Sequence, residues 1–179
     1  MAAQKQEPSQ SRYALLKSRT HAFCSAFMDL SRHPPGTLLS EHFTSSNPQI
    51  TEHGPKTERL PFLGKTFSGR DQCLTYFDLL GQTLEFVPHK DTFLGESGIA
   101  VDDRASGSSQ GIHGGGESAT GVASVVGNAT FKAKTTGRSW DEQFIWRLSE
   151  FDEEGKIGHW EIWADPLSAW LAVGDQGLN

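Results

Sequence analysis

Apolar and polar residues alternate most regularly near the end of the chain, from Ser139 to Ala164, where four of the five tryptophans also lie. A period of two is typical of a β-strand whose two faces differ. The sequence Asp152-Glu153-Glu154-Gly155 interrupts the alternation once. Gly155 stands where a type I turn followed by a bulge requires a positive φ angle, and such a turn places Asp152 opposite Lys156. The pattern predicts a β-hairpin with a defined register.

That register divides the hairpin into two different faces. The apolar face pairs Phe144 with Ala164, Trp146 with Ile162 and Leu148 with Trp160. The polar face pairs Gln143 with Asp165, Ile145 with Trp163 and Arg147 with Glu161. The apolar face is predicted to be core. A solvated sheet face rarely carries a central Trp, so the polar face is interpreted either as a ligand pocket or as a subunit contact.

Helical spacing of apolar residues precedes the strands. It predicts a helix from Arg12 to Leu30, a short helical turn from Gly36 to His42, and a helix from Ser68 to Leu84 that starts with a capping-box-like sequence. Phe77 belongs to the row of apolar residues along that last helix, and Tyr76 lies beside this row. Both are candidates to line a pocket, although a Tyr at the edge of a core is also common.

Strand-like segments are predicted at 49–53, 85–94, 98–101 and 122–136. Pro88 predicts an edge or a bulge in the second of them. Residues 102–121 are rich in Gly and Ser without a hydrophobic period, which predicts a mobile loop. Asp165-Pro166 predicts the start of a short helix that ends at Gly174. Helices followed by an antiparallel meander indicate an α+β fold.

The composition agrees with one domain of ordinary size. The chain has 179 residues, 36% of them hydrophobic, and we expect one domain at 12–174 between a disordered tail at 1–11 and a short tail at 175–179. Sixteen Lys and Arg against 22 Asp and Glu give a net charge of −6 without a basic cluster. Neither nucleic acid nor a membrane is therefore expected as a partner.

Cys24 and Cys73 both lie in apolar helical patterns. They are predicted to be reduced core thiols rather than a disulfide, and their spacing fits no metal site. The N-terminal segment is polar and lacks the apolar run of a signal peptide. We expect a cytoplasmic protein.

Two helices before a curved antiparallel sheet, ending in FDEEGKIGHWEIWADPLSAWLAVG, resemble the SnoaL-like branch of the nuclear-transport-factor-2-like (NTF2-like) superfamily. Residues 53–55 and 63–70 are also similar to family segments, and the resemblance covers about Ser11 to Gly174. It implies a cone-shaped α+β barrel, in which N-terminal helices pack on a strongly curved antiparallel sheet and leave a deep cavity, with a short C-terminal helix. Many members form homodimers through sheet surfaces.

The family includes polyketide cyclases, ketosteroid isomerases, epoxide hydrolases, dehydratases and non-catalytic modules, so the fold alone does not choose a function. Its enzymes use ionisable groups in an apolar cavity without a cofactor or metal, and none is expected here. Asp165 matches the position of the cyclases' acid/base Asp, although helix capping alone explains Asp165-Pro166 and is the favoured interpretation. The second carboxylate position of the epoxide hydrolases falls on Ile162, which argues against that activity.

If the polar face lines the cavity, Glu161 and Asp165 form a carboxyl pair and Arg147 keeps one of them ionised. The other predicted roles are a proton shuttle for His53, an orienting contact for Gln143, and apolar wall for Ile145 and Trp163. The alternative is a surface ion pair at Arg147 and Glu161 with a solvated His53.

Two functions are consistent with this pattern. The first is a cofactor-independent isomerase, cyclase or dehydratase acting on an apolar small molecule, such as a polyketide- or terpenoid-like intermediate, by proton abstraction and return. The second is a non-catalytic ligand-binding or dimeric interaction module of the same fold. Carboxyl groups that titrate well above their ordinary values in a closed cavity would favour the enzyme.

Overall fold

A computed structural model describes residues 11–105 and 121–174 of the chain. The helices are α1 (Arg12–Phe27), α2 (Pro35–His42), α3 (Arg70–Thr83) and α4 (Pro166–Val173). The strands are β1 (Gln49–Glu52), β2 (Thr66–Ser68), β3 (Leu84–Phe93), β4 (Ile99–Asp102), β5 (Val122–Ala133), β6 (Ser139–Ser149) and β7 (His159–Trp163), and a 3-10 turn at Gly95–Gly98 joins β3 to β4. The predicted α+β class is confirmed.

The strands form one curved, open sheet in the order β2-β1-β7-β6-β5-β3, and β4 pairs with β5 beside β3. All neighbouring strands are antiparallel except β1 and β7. The expectation of a purely antiparallel sheet was therefore wrong at this one pair. About a hundred residues separate β1 from β7, and the alternation within a strand does not reveal the direction of so distant a partner.

The predicted hairpin register is confirmed between Ile145, which pairs with Trp163, and Leu148, which pairs with Trp160. Gly155 has a φ of 75° in the turn. The backbone N–H of Asp152 donates to the Lys156 carbonyl at 3.0 Å, and the Lys156 N–H donates to Asp152 Oδ1 at 2.8 Å.

Strand pairing ends at Trp163, so the expected pairs further along, which include Gln143 with Asp165, are not formed. The chain leaves the sheet there because Asp165 caps α4. Its carboxylate accepts from the N–H groups of Leu167 and Ser168, and Pro166 is the first helical residue. The predicted cap is confirmed.

Two details at the other helices differ from the predictions. Helix α1 ends at Phe27, three residues early. Helix α3 has no capping box, because Gly69 is its N-cap and has no side chain to accept a hydrogen bond. The Gln72 side chain instead accepts from the backbone N–H of Ser68 at 3.2 Å. The bulge expected near Pro88 is present as a shift of register between β3 and β5.

The apolar face of the hairpin packs against α1 and forms the centre of the core. The ring centroids of Trp146 and Trp160 lie 4.8 Å apart, and Phe27 stands edge-on to Trp146 at 4.9 Å. Phe23 approaches Trp160 at 5.3 Å. Edge-to-face packing of this kind is favourable beyond the burial of area alone. The aromatic residues therefore determine which face of the sheet turns towards the helices, called the inner face below.

Cys24 and Cys73 are both buried and unpaired, as predicted. Within the described ranges, no helix combines the length and the apolar character that crossing a membrane requires.

Candidate active site

A cavity of about 220 Å³ lies between the inner face of the sheet and the helices. Helix α3 contributes Tyr76 and Phe77 to its wall, and the hairpin contributes Trp146 and Trp160. Five phenylalanines, three tryptophans and one tyrosine are among the lining residues. Two buried carboxyl groups, those of Glu52 and Glu142, are set into this aromatic wall. An apolar cavity with a few convergent polar groups is the usual form of a small-molecule site.

Glu52 is the last residue of β1, and only 8% of it is exposed. Tyr76 Oη donates to its Oε2 at 2.7 Å. Within the described part of the chain, no group donates to the other oxygen, Oε1. Burial raises the pKa of Glu52 to about 7, the Tyr76 hydrogen bond opposes this rise, and the nearby charge of Glu142 adds to it. At neutral pH this carboxyl is therefore able both to take and to give a proton.

Tyr76 is fixed as a hydrogen-bond donor. Its ring is buried, and Phe62, Phe67 and Trp160 contact it edge-on. Burial, and then the adjacent Glu52 carboxylate, raise the pKa of Tyr76 well above its ordinary value. The phenol stays protonated at neutral pH and holds Glu52 by one oxygen.

Glu142 points to the same side of β6 as Phe144 and Trp146, because side chains two residues apart share a face. Trp140 Nε1 donates to its Oε2 at 2.6 Å, and the backbone N–H of Asp165 donates to its Oε1 at 2.7 Å. Burial raises the pKa of Glu142, while these two hydrogen bonds lower it. Both oxygens of Glu142 are held, so its charged form is stabilised more fully than that of Glu52.

Asp165 lines the cavity as predicted, but it is exposed and its carboxylate is engaged in the cap of α4. The Ser168 hydroxyl donates to Oδ2 at 2.6 Å, while Oδ1 accepts the two backbone bonds of the cap. The Ser168 hydroxyl bond, followed by the backbone bonds, lowers the pKa of Asp165. Of the two interpretations offered by the sequence, the geometry favours the structural cap, with a backbone contact that positions Glu142.

The polar face of the hairpin does not line the cavity. Most of the predicted site residues were chosen on the assumption that it does, and that assumption is corrected here. Tyr76, Phe77 and Asp165 are brought to the cavity. The remaining six lie on the opposite side of the sheet, called the outer face below, and none of them is among the described lining residues: His53, Gln143, Ile145, Arg147, Glu161 and Trp163. The physical reason is that the large rings of the hairpin turn towards the helices, and the alternation then sends the polar set outwards.

The outer face has a polar network of its own. Glu161 is 6% exposed and accepts from Arg147 Nη1 through one oxygen, which confirms the predicted pair, while His53 Nε2 lies 3.2 Å from the other oxygen. The His53 ring stacks on Trp163 at 4.1 Å. These residues position one another on the outside of the sheet, away from the aromatic cavity.

Sequence reasoning missed both cavity carboxyls. Glu142 could have been found, since the same alternation that made Phe144 and Trp146 core residues also placed Glu142 on the core side. An acidic residue on an apolar face is costly unless it has a function or a partner. For Glu52 the signal was weaker, because its strand is only four residues long.

Metal binding has no obvious ligand set. In residues 11–105 and 121–174, no three His, Cys, Asp or Glu side chains come together as a metal site would require.

Comparison with known proteins identifies the fold. No protein-family model and no curated protein matches the sequence. A solved structure from Bacillus subtilis, named as a candidate isomerase, aligns over 95% of this chain and 100% of its own with a TM-score of 0.60 and 13% identity. An NTF2-like protein of unknown function from Burkholderia pseudomallei K96243 aligns over 92% of this chain and 99% of its own, with a TM-score of 0.58 and 14% identity.

A candidate SnoaL-like polyketide cyclase from Jannaschia sp. CCS1 aligns over 98% of this chain and 100% of its own, with a TM-score of 0.55 and 11% identity. At these identities the likeness is one of fold. The chain has the NTF2-like fold shared by SnoaL-like proteins, and the resemblance read from the sequence is confirmed at that level.

Proposed function

We propose that this protein is a cofactor-independent acid/base enzyme that moves a proton on an apolar small molecule held in the cavity, in an isomerisation, cyclisation or dehydration. The observation that supports this most strongly is Glu52. Its carboxyl is buried in an aromatic wall, has one oxygen to which no described residue donates, and has a pKa of about 7. A general base is most effective when its pKa lies near the working pH.

The proposed reaction begins with Glu52 as a carboxylate. Oε1 removes a proton from a carbon next to an electron-withdrawing group of the substrate, and the electron pair of the broken C–H bond moves towards that group. The Glu52 carboxylic acid then returns the proton to a different atom of the substrate, so the enzyme ends in its starting state. An isomerisation of this kind needs no other reactant.

Two neighbouring residues support this cycle. Tyr76 donates to Oε2 and so directs the free oxygen, while the charge of Glu142 helps to keep the pKa of Glu52 near neutrality. Pairs of carboxyl groups whose environments differ are a common way to divide acid and base roles. Glu142, held by Trp140 and the Asp165 backbone, is proposed to remain the charged member of the pair.

The solved structures with this fold support the class of reaction without specifying a substrate. Their names include an isomerase and a polyketide cyclase, each given as a candidate activity. An isomerisation or a cyclisation can proceed by proton transfer, which agrees with the chemistry that Glu52 can perform.

A proton-exchange assay tests the proposal without knowledge of the natural substrate. 2-Tetralone, an apolar ketone with acidic C–H groups, is incubated with the protein in D2O, and deuterium incorporation is followed by NMR. The wild type is expected to accelerate exchange, and Glu52→Gln is expected to lose about a hundredfold or more of that acceleration, because general-base catalysis contributes ~10²–10⁴-fold.

Glu161→Gln is the matched control, since it makes the same change in a buried Glu on the outer face. It is expected to exchange at the wild-type rate. Exchange by Glu52→Gln at the wild-type rate, or loss of exchange in Glu161→Gln instead, would remove Glu52 from the mechanism.

We also propose that a second copy of this chain covers the outer face. Three exposed apolar residues, Val126, Ile145 and Trp163, pair side by side across β5, β6 and β7 and form what we call the apolar stripe. Arg147 and Glu161 lie on the same face. An exposed apolar patch on one sheet face can pack against the same patch of a second copy about a two-fold axis.

A further inference from the structure

The charged groups of the cavity wall are all acidic. Glu52, Glu142 and Asp165 line the cavity, and no Lys, Arg or His is present among the 23 described lining residues. Arg147, which pairs with Glu161, belongs to the outer face of the sheet. Nothing in the described wall therefore supplies a positive charge to the two buried carboxyl groups.

The apolar part of the wall is unusually rich in aromatic rings. Nine of the 23 described lining residues are aromatic, and Trp140, Trp146 and Trp160 are among them. The face of an aromatic ring carries partial negative charge and attracts cations, with Trp the strongest. The ionised carboxylates place negative charge in a cavity whose wall is mostly apolar and aromatic.

Glu52 adds an unpartnered acceptor to this wall. Its side chain is more than nine-tenths buried, and its Oε1 accepts no hydrogen bond from the described residues, whereas Oε2 is held by Tyr76. A buried carboxylate is costly without a counter-charge. A ligand cation bound in the cavity near Glu52 would provide that charge.

We infer that the ligand of this cavity is a small apolar molecule with a positively charged amine. This inference rests on the proposed active site and narrows its substrate to that class. The cavity has a volume of about 220 Å³. One compact ring with an ammonium substituent fits that size.

The bound amine would also prepare the base. A positive charge beside Glu52 favours its ionised form, so a substrate of this class brings its own base into the reactive state on binding. By reciprocity, the affinity for a permanently charged ligand rises with pH as the cavity carboxyl groups ionise, while the affinity for a neutral ligand does not.

Two probes of the same shape, one charged and one neutral, separate the contribution of charge to the affinity from that of shape. Phenyltrimethylammonium carries a permanent positive charge, and tert-butylbenzene has a carbon in place of the nitrogen. Binding of each is measured by fluorescence of the cavity tryptophans at about pH 8, above the Glu52 pKa of about 7. The ammonium is expected to bind about tenfold or more tightly than its neutral isostere.

Two variants test whether the preference for the ammonium probe arises in the cavity. Glu52→Gln is expected to weaken binding of the ammonium about tenfold and to leave tert-butylbenzene unchanged. Glu161→Gln, on the outer face, is expected to leave both affinities unchanged. Loss of the ammonium preference in Glu161→Gln rather than in Glu52→Gln would overturn the inference.

Two further results of the binding measurements would overturn the inference. Equal or tighter binding of tert-butylbenzene by the wild type would overturn the amine class while leaving the proposed acid/base function in place. Binding of neither probe would overturn both, since the cavity would then not accept a compact apolar molecule.

Discussion

Burial and hydrogen bonding compete at the carboxyl of Glu52. Removal from water disfavours the charged form, whereas the Tyr76 hydroxyl favours it, and burial is the larger effect. Tyr76 Oη bonds only Oε2, and no described residue donates to Oε1. Glu52 thus combines a near-neutral pKa with a carboxylate oxygen that no described residue bonds. Glu142 does not, because both of its oxygens accept hydrogen bonds.

The raised pKa of Glu52 predicts a loss of stability at alkaline pH. The folded protein binds this proton up to about pH 7, while the unfolded chain releases it near 4.5, so the contribution to stability is complete below 4.5 and disappears as pH rises through about 7. Between acid and alkaline pH, the free energy of unfolding of the wild type should therefore fall by up to ~3 kcal/mol more than that of Glu52→Gln.

Urea unfolding of both proteins at about pH 5 and about pH 8.5 measures this difference. Comparison of the two proteins at each pH removes the contribution of titrating groups that do not interact with Glu52. A difference that stays constant with pH would show that Glu52 titrates at the same pH in the folded and unfolded states.

The residues of the site were harder to predict than their surroundings. Asp165 was found through its match to the cyclases' acid/base Asp, and Tyr76 because it lies beside the apolar residues of a predicted helix. Glu52 and Glu142 were not, since the visible charge of the hairpin lies on its polar face. A buried carboxyl on an apolar face has little local signal, and its pKa depends on groups from distant segments such as Tyr76.

The hairpin shows what a single element can reveal. Its alternation and the Gly155 turn were sufficient to fix the register from Ile145 to Leu148, because one slipped residue would mix tryptophan and charge on both faces. The alternation could not show which face borders the cavity. That depends on α1 and α3, whose packing against the sheet is not encoded in the hairpin itself.

The apolar stripe of the three strands β5, β6 and β7 predicts a dimer that depends on Ile145. Ile145 is 47% exposed at the centre of the stripe, between Val126 and Trp163. A charge at this position would be buried without a partner in a two-fold contact. Ile145→Asp is therefore expected to be monomeric by light scattering at concentrations where the wild type is dimeric.

Leu171→Asp provides the control, because Leu171 is 54% exposed on α4, outside the stripe. It should remain dimeric. A monomeric wild type, or dimers of Ile145→Asp as stable as those of the wild type, would contradict the second-copy proposal.

At the scale of the whole molecule, the fold class was readable from the order of its elements. Helices followed by a meander predicted α+β, and the solved structures agree over most of the chain. The parallel pairing of β1 with β7 was not predicted, and it matters for function. It brings Glu52 of β1 next to Ile162 of β7, and so places a carboxyl from the first strand within the aromatic cavity.

The open sheet and its helices thus assemble a protonatable group from remote parts of the sequence. Glu52 comes from β1, Tyr76 from α3 and Glu142 from β6. The account therefore depends on one property of the assembled fold, which is that a carboxyl in the cavity titrates near neutrality. The proposed activity and the pH dependence of stability both follow from it.

The direct measurement is an NMR titration of the side-chain carboxyl carbons in protein labelled with ¹³C-glutamate, with the Glu52 signal assigned by its absence in Glu52→Gln. The account predicts that this signal titrates with a pKa of about 7. Titration of Glu52 near its ordinary value of 4.5 would contradict it.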